Sequence, residues 1–339
     1  MSARACIIPV FVPQLGCPHR CVFCDQRRIS GSEGAATAED VKKAIAQSAA
    51  LPQTGAKRQL AFYGGSFTAI PAPQQEALLG AAAEAAARGE IDSIRLSTRP
   101  DAISDEVLAR LRRFGVETVE LGAQSMDEEV LRLSGRGHTA GDVERAAAAV
   151  RAAGFRLVLQ MMTGLPGDSE EKDLETARRL IALRPDGVRI YPTVIVRGTE
   201  LYERWRAGEY REHTPEEATE VCAKLLELFE AAGIPVIRLG LNPTEELSGG
   251  EAAGGAYHPA LGELVRSRVL LHRARALLAS VESGSRVTLG VAPECLSQMI
   301  GQKRGNLAAL RGEFSLEEIK VVPAAAETGE IVLLSVEKP

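Results

Sequence analysis

The chain of 339 residues carries 40 Lys and Arg against 45 Asp and Glu, a formal net charge of −5, with 45% hydrophobic and 25% charged residues. That mix belongs to a folded globular protein and excludes a disordered chain, a collagen-like fibre and a small disulfide scaffold. The length suits one large domain plus a smaller one, with a core that needs no covalent staples. No apolar run approaches the roughly 20 residues of a membrane helix. The opening MSARACIIPVFVP is broken by Pro9 and Pro13 and lacks a signal-peptide cleavage region. A cytoplasmic protein is expected, and in that setting six cysteines point to metal or catalysis before disulfides.

From residue 6 onward, short β-rich runs alternate with longer amphipathic stretches. The predicted strands are CIIPVFV (6–12), QLAFY (59–63), SIRLST (93–98), VETVELG (116–122), FRLVLQMM (155–162), GVRIYPT (187–193) and PVIRLG (235–240). Nearly continuous apolar strands between helices mark a parallel sheet covered on its outer face. The helices carry start signals: Thr37 with Asp40, Asp168 with Glu171, and Thr214-Pro215-Glu216-Glu217. Gly115, Gly154 and Gly233 sit where a left-handed cap would end a helix before a strand. Six or seven βα units predict an α/β fold, a full or partial (β/α) TIM-type barrel over residues 1–241. A stretch rich in Gly and small polar residues (242–256) reads as a linker. Residues 257–339 then predict a small α+β domain: a helix over 260–281, a strand over 285–291, two short helical pieces around Gly301–Gly305, and strands near 318–322 and 331–336.

Just after the first strand comes Cys17-Pro18-His19-Arg20-Cys21-Val22-Phe23-Cys24, on the loop where a barrel gathers its chemistry. Three thiolates so close on one loop can hold three irons of a 4Fe–4S cubane, which usually takes four cysteines. The fourth iron then stays open to an exchangeable ligand, such as the amino and carboxylate groups of S-adenosylmethionine (SAM), whose sulfonium an electron can cleave. A zinc site is the competing reading, but it needs a fourth ligand, and His19 inside the loop is poorly placed to close a tetrahedron. Cys6, Cys222 and Cys295 are isolated and read as small buried hydrophobes.

The cysteine loop, with an aromatic before its third cysteine, resembles the radical SAM superfamily signature, and Phe62-Tyr63-Gly64-Gly65-Ser66-Phe67 resembles that superfamily's second motif. More specifically, IRLSTRPD (94–101), VELGAQSMDEEVLRLSGRGH (119–138), LQMMTGLPGD (159–168), RIYPTVIVRGTELYERWRAGEY (189–210) and YHPALGELV (257–265) resemble the radical SAM half of the elongator catalytic subunit, a family that modifies the wobble uridine of transfer RNA. The resemblance covers residues 6–265. It implies an enzyme in which Cys17, Cys21 and Cys24 hold a 4Fe–4S cluster. Phe23 would pack on the adenine, and Gly64 and Gly65 would admit the methionine group. Ser66 would stand where the family often has an acidic contact to the amino group. By likeness to oxygen-independent coproporphyrinogen oxidases, Gln124 and Arg136 would contact SAM, with Ser97 and Gln160 near its adenosyl part. It also implies a reductant such as flavodoxin or ferredoxin. The elongator family continues into an acetyl-CoA-binding acetyltransferase domain, whereas this sequence shows no phosphate-cradling loop and predicts a chain without acetyl transfer.

The run Met299-Ile300-Gly301-Gln302-Lys303-Arg304-Gly305-Asn306-Leu307, between two helices flanked by strands, resembles a KH module, whose glycine loop clamps a nucleic-acid backbone. Its second glycine is displaced by one, with Arg304 in the expected place. Between Tyr257 and Gly312 eight Lys and Arg stand against three Glu, an excess of five positive charges on an acidic chain. Lys303 and Arg304 are therefore candidate RNA contacts. Tyr257 and His258 are candidates for proton donation or substrate contact. The expected reaction is radical modification of a tRNA base. Two alternatives are radical chemistry on a porphyrin or other small molecule, and a nucleic-acid-binding protein with a structural metal.

Overall fold

The computed structural model describes residues 6–12, 17, 20–25, 36–50, 56–241 and 247–339. All seven strands expected before residue 241 form. They are β1 (Cys6–Phe11), β2 (Arg58–Tyr63), β3 (Ser93–Thr98), β4 (Val116–Gln124), β5 (Arg156–Thr163), β6 (Gly187–Pro192) and, after a three-residue β7 (Val194–Val196), β8 (Val236–Leu239). The sheet runs β1-β2-β3-β4-β5-β6-β8 with every neighbouring pair parallel. Its first and last strands lie at opposite edges, so the fold is the partial (β/α) barrel rather than the closed one.

The helices follow from local chemistry. They are α1 (Ala38–Ala49), α2 (Ala72–Ala87), α3 (Asp105–Arg113), α4 (Glu128–Leu133), α5 (Ala140–Ala152), α6 (Glu170–Ala182), α7 (Glu200–Arg206) and α8 (Pro215–Ala231). Thr37 and Asp40 form a reciprocal capping box on α1, and Thr139 and Asp142 do the same on α5. Thr214 and Glu217 exchange the equivalent pair of bonds at α8. The cap of α6 differs from expectation: Ser169, not Asp168, accepts from the Lys172 N–H, because the Asp168 carboxylate is turned inward. Gly115, Gly154 and Gly233 have φ of 71°, 83° and 71°, as left-handed caps require.

Strand alternation decides the two faces. In β3, Ile94, Leu96 and Thr98 are buried, while Arg95 and Ser97 on the other face are half-buried. The registers Leu96↔Val119, Leu121↔Leu159 and Leu159↔Val188 extend the buried row across the sheet. Each such aliphatic side chain contributes about 1.5–3 kcal/mol by leaving water. The polar row faces the concave side, and the chemistry sits there.

Two compact units divide the described chain: residues up to His213 with Phe229–Tyr257, and Thr214–Leu228 with His258–Pro339. Within the stretch read as a linker, β9 (Ala252–Gly255) pairs antiparallel with β7. A side chain at Gly255 would lie 2.6 Å from the Thr193 carbonyl, which explains one of the glycines there. In the second unit α9 (Leu261–Leu278) precedes a mixed sheet. In that sheet β10 (Arg286–Val291) lies parallel to β11 (Glu318–Pro323) and antiparallel to β12 (Ile331–Glu337). Two short helices, α10 (Leu296–Ile300) and α11 (Gly305–Glu313), connect β10 to β11. Leu271, Leu278, Leu289, Met299 and Leu310 form the core of this unit, which also takes in Cys295. Cys222 is likewise buried, whereas Cys6 is only partly so.

Candidate active site

The cysteine loop is held by its apolar residue. Val22 is buried with Ile195, Leu201 and Tyr210, and its backbone bonds to Ser134 and Leu201. Cys21 and Cys24 close a tight turn, with the Cys24 N–H 3.1 Å from the Cys21 carbonyl. Phe23 packs on the same cluster but stays half-exposed, so a ring face remains accessible. Cys17, Cys21 and Cys24 are in no disulfide, and none is buried. His19, the candidate fourth zinc ligand, lies outside the described residues.

Behind this loop stands Arg136. Its Nη1 donates to Cys21 Sγ at 3.2 Å and its Nη2 to the Gly122 carbonyl at 2.7 Å. Arg99 in turn donates to the Arg136 carbonyl and chelates Asp101 through two bonds of 2.9 Å. Burial pushes the Cys17 thiol up, and the Ser66 backbone N–H and the charges of Arg99 and Arg136 offset this only in part. His138 is buried and its pKa is lowered to about 4, first by burial and then by Arg136 and Arg99. The neutral ring places Nε2 3.1 Å from the Ala123 carbonyl, to which it donates.

Gln124 ends β4 with φ of 66°, a left-handed conformation unusual for a residue with a side chain. Backbone strain of that kind marks positions fixed by function more often than by packing. Its Oε1 is buried without a hydrogen-bond partner, as are Arg136 Nε and Arg99 Nη1. A Cβ on Gly122 would stand 2.9 Å from Gln124 Nε2, so the glycine makes room for this amide. Gly64, with φ of 100°, turns the chain after β2 beside Gly65. Ser66 departs from the expected amino-group contact. Its hydroxyl is buried and committed to Thr98 Oγ1 at 3.0 Å and the Arg99 N–H at 3.3 Å, leaving only its backbone to face the cysteine loop. Ser97 and Gln160 do meet, at 3.3 Å.

That last contact leads to a network that sequence reasoning missed. Glu120 on β4 is 0% exposed. Its Oε1 takes bonds from Arg95 Nη1 (2.9 Å), Arg189 Nη2 (2.9 Å) and the Tyr63 hydroxyl (3.1 Å), and its Oε2 one from Gln160 (2.8 Å). Arg189 also donates to the Tyr63 and Tyr191 hydroxyls, at 2.6 and 3.2 Å. Burial works against the Arg189 charge, but Glu120, Tyr191 and Tyr63 together more than offset it and raise the pKa. Burial and Glu120 likewise push Tyr63 up, keeping its hydroxyl a proton donor. The available signal was polar residues at alternate positions of otherwise apolar strands.

A cavity of about 240 Å³ opens elsewhere in this unit, lined by Gly164, Asp168, Arg204, Tyr210 and His213 among others. Beneath it, burial and the adjacent Asp168 raise Asp173 well above the usual carboxylate range, so that the hydrogen-bonded pair holds a proton.

The remaining candidates lie apart from this geometry. Tyr257 packs on Val194 and Val196. His258 uses Nδ1 to accept from the Ala260 N–H at the start of α9, a helix-starting role that leaves only Nε2 for other work. Lys303 and Arg304 are exposed, with φ of 51° and 63°. Part of the surrounding positive charge is neutralised within its own unit. Arg268 pairs with Glu216 and Glu220, Arg275 with Glu313 and Arg286 with Glu317. Lys303 and Arg304 have no such partner among the described residues.

Comparison with known proteins bears on the first unit above all. Residues 11–180 match the model of the radical SAM superfamily, half of the chain, and residues 185–270 match that of a radical SAM C-terminal domain. The chain belongs to the radical SAM superfamily. Among curated radical SAM relatives, Elongator complex protein 3 of Homo sapiens is 37% identical over 138 residues, covering 40% of this chain and 25% of that protein. The tRNA uridine(34) acetyltransferase of Methanocaldococcus infernus is 37% identical over 129 residues, 37% of this chain and 24% of that one. The Schizosaccharomyces pombe Elongator complex protein 3 is 31% identical over 210 residues, 56% and 39%. The chain thus spans between a quarter and two fifths of the length of these relatives. In fold, it is similar to the solved archaeal Elp3 of M. infernus, at a TM-score of 0.62 and 23% identity over 84% of this chain and 67% of that one. It is also similar to the coproporphyrinogen III oxidase HemN of Escherichia coli, at 0.50 and 20% over 68% and 54%. Radical SAM membership makes the chain an enzyme and implies a 4Fe–4S cluster and SAM. The residue types suit both groups, with three thiols on one loop, Arg136 on Cys21, and buried amide and guanidinium atoms without partners for a zwitterion, although among the described residues no three His, Cys, Asp or Glu side chains are placed closely enough to hold a metal ion.

Proposed function

We propose that Cys17, Cys21 and Cys24 hold the 4Fe–4S cluster, that Arg136 and Gln124 bind SAM against it, and that the enzyme modifies a uridine of tRNA. Gln124 carries this reading: its left-handed backbone and unpaired Oε1, next to the guanidinium that reaches Cys21, are costly unless a ligand completes them. When bound and reduced, the cluster and SAM supply a 5′-deoxyadenosyl radical for hydrogen abstraction. The chain's own part is positioning. Arg136 lies against the sulfur of Cys21, Gly64 and Gly65 let the backbone approach the methionine group, and Phe23 offers a ring face to adenine. Ser97 and Gln160 hold the adenosyl end and join it to Glu120.

The tRNA substrate rests on relatives named for uridine 34 of tRNA and on the second unit. There, a strand–helix–loop–helix–strand order surrounds Gly301–Gly305 as in a KH module, and the loop presents unpaired Lys303 and Arg304. Gly301 has to be glycine, because a Cβ would come within 2.9 Å of the Asn306 backbone nitrogen. Protein reconstituted anaerobically with iron and sulfide, then given SAM and a reductant such as flavodoxin, ferredoxin or dithionite, should release 5′-deoxyadenosine. Cys24→Ala should reduce it to background. Equal release by both proteins would refute the assignment. Labelled tRNA should be retained by wild type at low salt and lost by the Lys303→Ala/Arg304→Ala variant. A protein that makes 5′-deoxyadenosine yet retains no tRNA would instead act on a small molecule.

A further inference from the structure

The Glu120 row holds more positive charge than it neutralises. The registers Gly122↔Gln160, Gln160↔Arg189 and Arg189↔Arg238 put Gln160, Arg189 and Arg238 on one inward-facing row, with Ser97↔Glu120 beside it. Two guanidinium groups, those of Arg95 and Arg189, share the single carboxylate of Glu120, and Arg238 on the same row adds a third, an excess of two positive charges among the described residues. That carboxylate has no acceptor capacity left: four donors already occupy two oxygens that offer roughly four sites. Arg189 Nε lies 2.9 Å from Glu120 Oε2 but out of line with it, so the N–H goes unsatisfied, and Arg95 Nε is buried without any acceptor. Arg238 spends only Nε, on the Gly240 carbonyl at 2.9 Å, and has no carboxylate partner among the described residues. Burial, and the like charge of Arg189, work against its protonated form. Partly buried guanidinium N–H groups without acceptors are costly. An oxyanion would supply acceptors on the face that Arg189 and Arg238 share.

We infer that Arg189 and Arg238 form an oxyanion site on the inner face of the half-barrel, which receives a phosphate or carboxylate carried by the substrate next to Gln160. The inference rests on the radical SAM reading for its meaning but not for its test. A nucleotide phosphate and a carboxylic acid present the same chemistry here. In both cases a planar fork of N–H donors meets two oxygens, a geometry that guanidinium binds bidentately and ammonium does not. Tyr63 and Tyr191, both bonded to Arg189, fix the direction of that fork.

Protein kept free of oxygen, both before and after reconstitution with iron and sulfide, is titrated calorimetrically with inorganic phosphate and, separately, with succinate, at ionic strength held constant with chloride. Saturable binding of one equivalent is expected, weakened at least tenfold in Arg238→Gln and by less in Arg238→Lys, which keeps the charge but loses the fork. Phosphate as the tighter ligand marks a nucleotide phosphate as the natural occupant; succinate as the tighter marks a carboxylate. The Lys320→Gln variant, at an exposed surface cation on β11, must bind as wild type does. Unchanged affinity in Arg238→Gln, or no saturable binding of either anion, overturns the site. That failure would leave 5′-deoxyadenosine release untouched, whereas failure of the radical reading would abolish release and leave anion binding intact.

Discussion

Cys17, Cys21 and Cys24 lie within eight residues of chain, whereas Tyr63, Arg95, Glu120, Gln160, Arg189 and Arg238 come from six strands spread between residues 63 and 238. The first group is assembled by one loop pinned through Val22 and Arg136, and the second by strand register. A local loop can present chemistry without supporting the fold around it. A row built across the sheet cannot, because the buried Glu120 carboxylate holds Arg95, Arg189, Tyr63 and Gln160 together, so function and stability share the same bonds. Removing a member should therefore do different things in the two places.

The largest effect is expected at the row. Glu120→Ala leaves guanidinium groups buried without their carboxylate and should destabilise the protein by about 3–5 kcal/mol, read from urea unfolding midpoints. Compared without metal, Cys24→Ala should cost no more than about 1 kcal/mol, while after reconstitution with iron and sulfide it should abolish 5′-deoxyadenosine release. Similar losses of stability in both variants would erase the contrast. The next effect concerns pH. The folded pKa of His138, about 4, lies below the ordinary 6.5. Its contribution is therefore complete above pH 6.5 and lost as pH falls through 4, by about 3 kcal/mol in all. His138→Gln should flatten that part of the stability-against-pH curve, and an unchanged curve would mean that the ring is not held neutral. The smallest effect sharpens the loop side. Gln124→Gly should relieve the positive φ, so that stability is unchanged or rises by about 1 kcal/mol, while SAM affinity in equilibrium dialysis falls at least tenfold. A loss of stability instead would make Gln124 a structural residue.

All seven barrel strands and the order of elements in the second unit were legible in the sequence, because continuous apolar runs bounded by glycine caps at Gly115, Gly154 and Gly233 leave few other folds. The cysteine spacing was legible for the same local reason. Ser66 was misread in part, since its position in a motif says nothing about which way a hydroxyl turns, and here Thr98 and Arg99 take it. Asp168 was expected to cap α6 and yields to Ser169, because its carboxylate meets Asp173. The Glu120 row was invisible: Arg95, Glu120 and Arg189 become neighbours only once the register of four strands is known.

Lys303 and Arg304 stand one after the other in the left-handed region, where a side chain adds roughly 1–2 kcal/mol per residue. Glycine would have cost less at the Arg304 position, so the backbone tolerates tension there in order to carry a cation. A turn wound this way has few other shapes open to it. Its amides and its two positive charges are aimed before anything arrives, and a partner docking on it would lose little to the ordering of the loop.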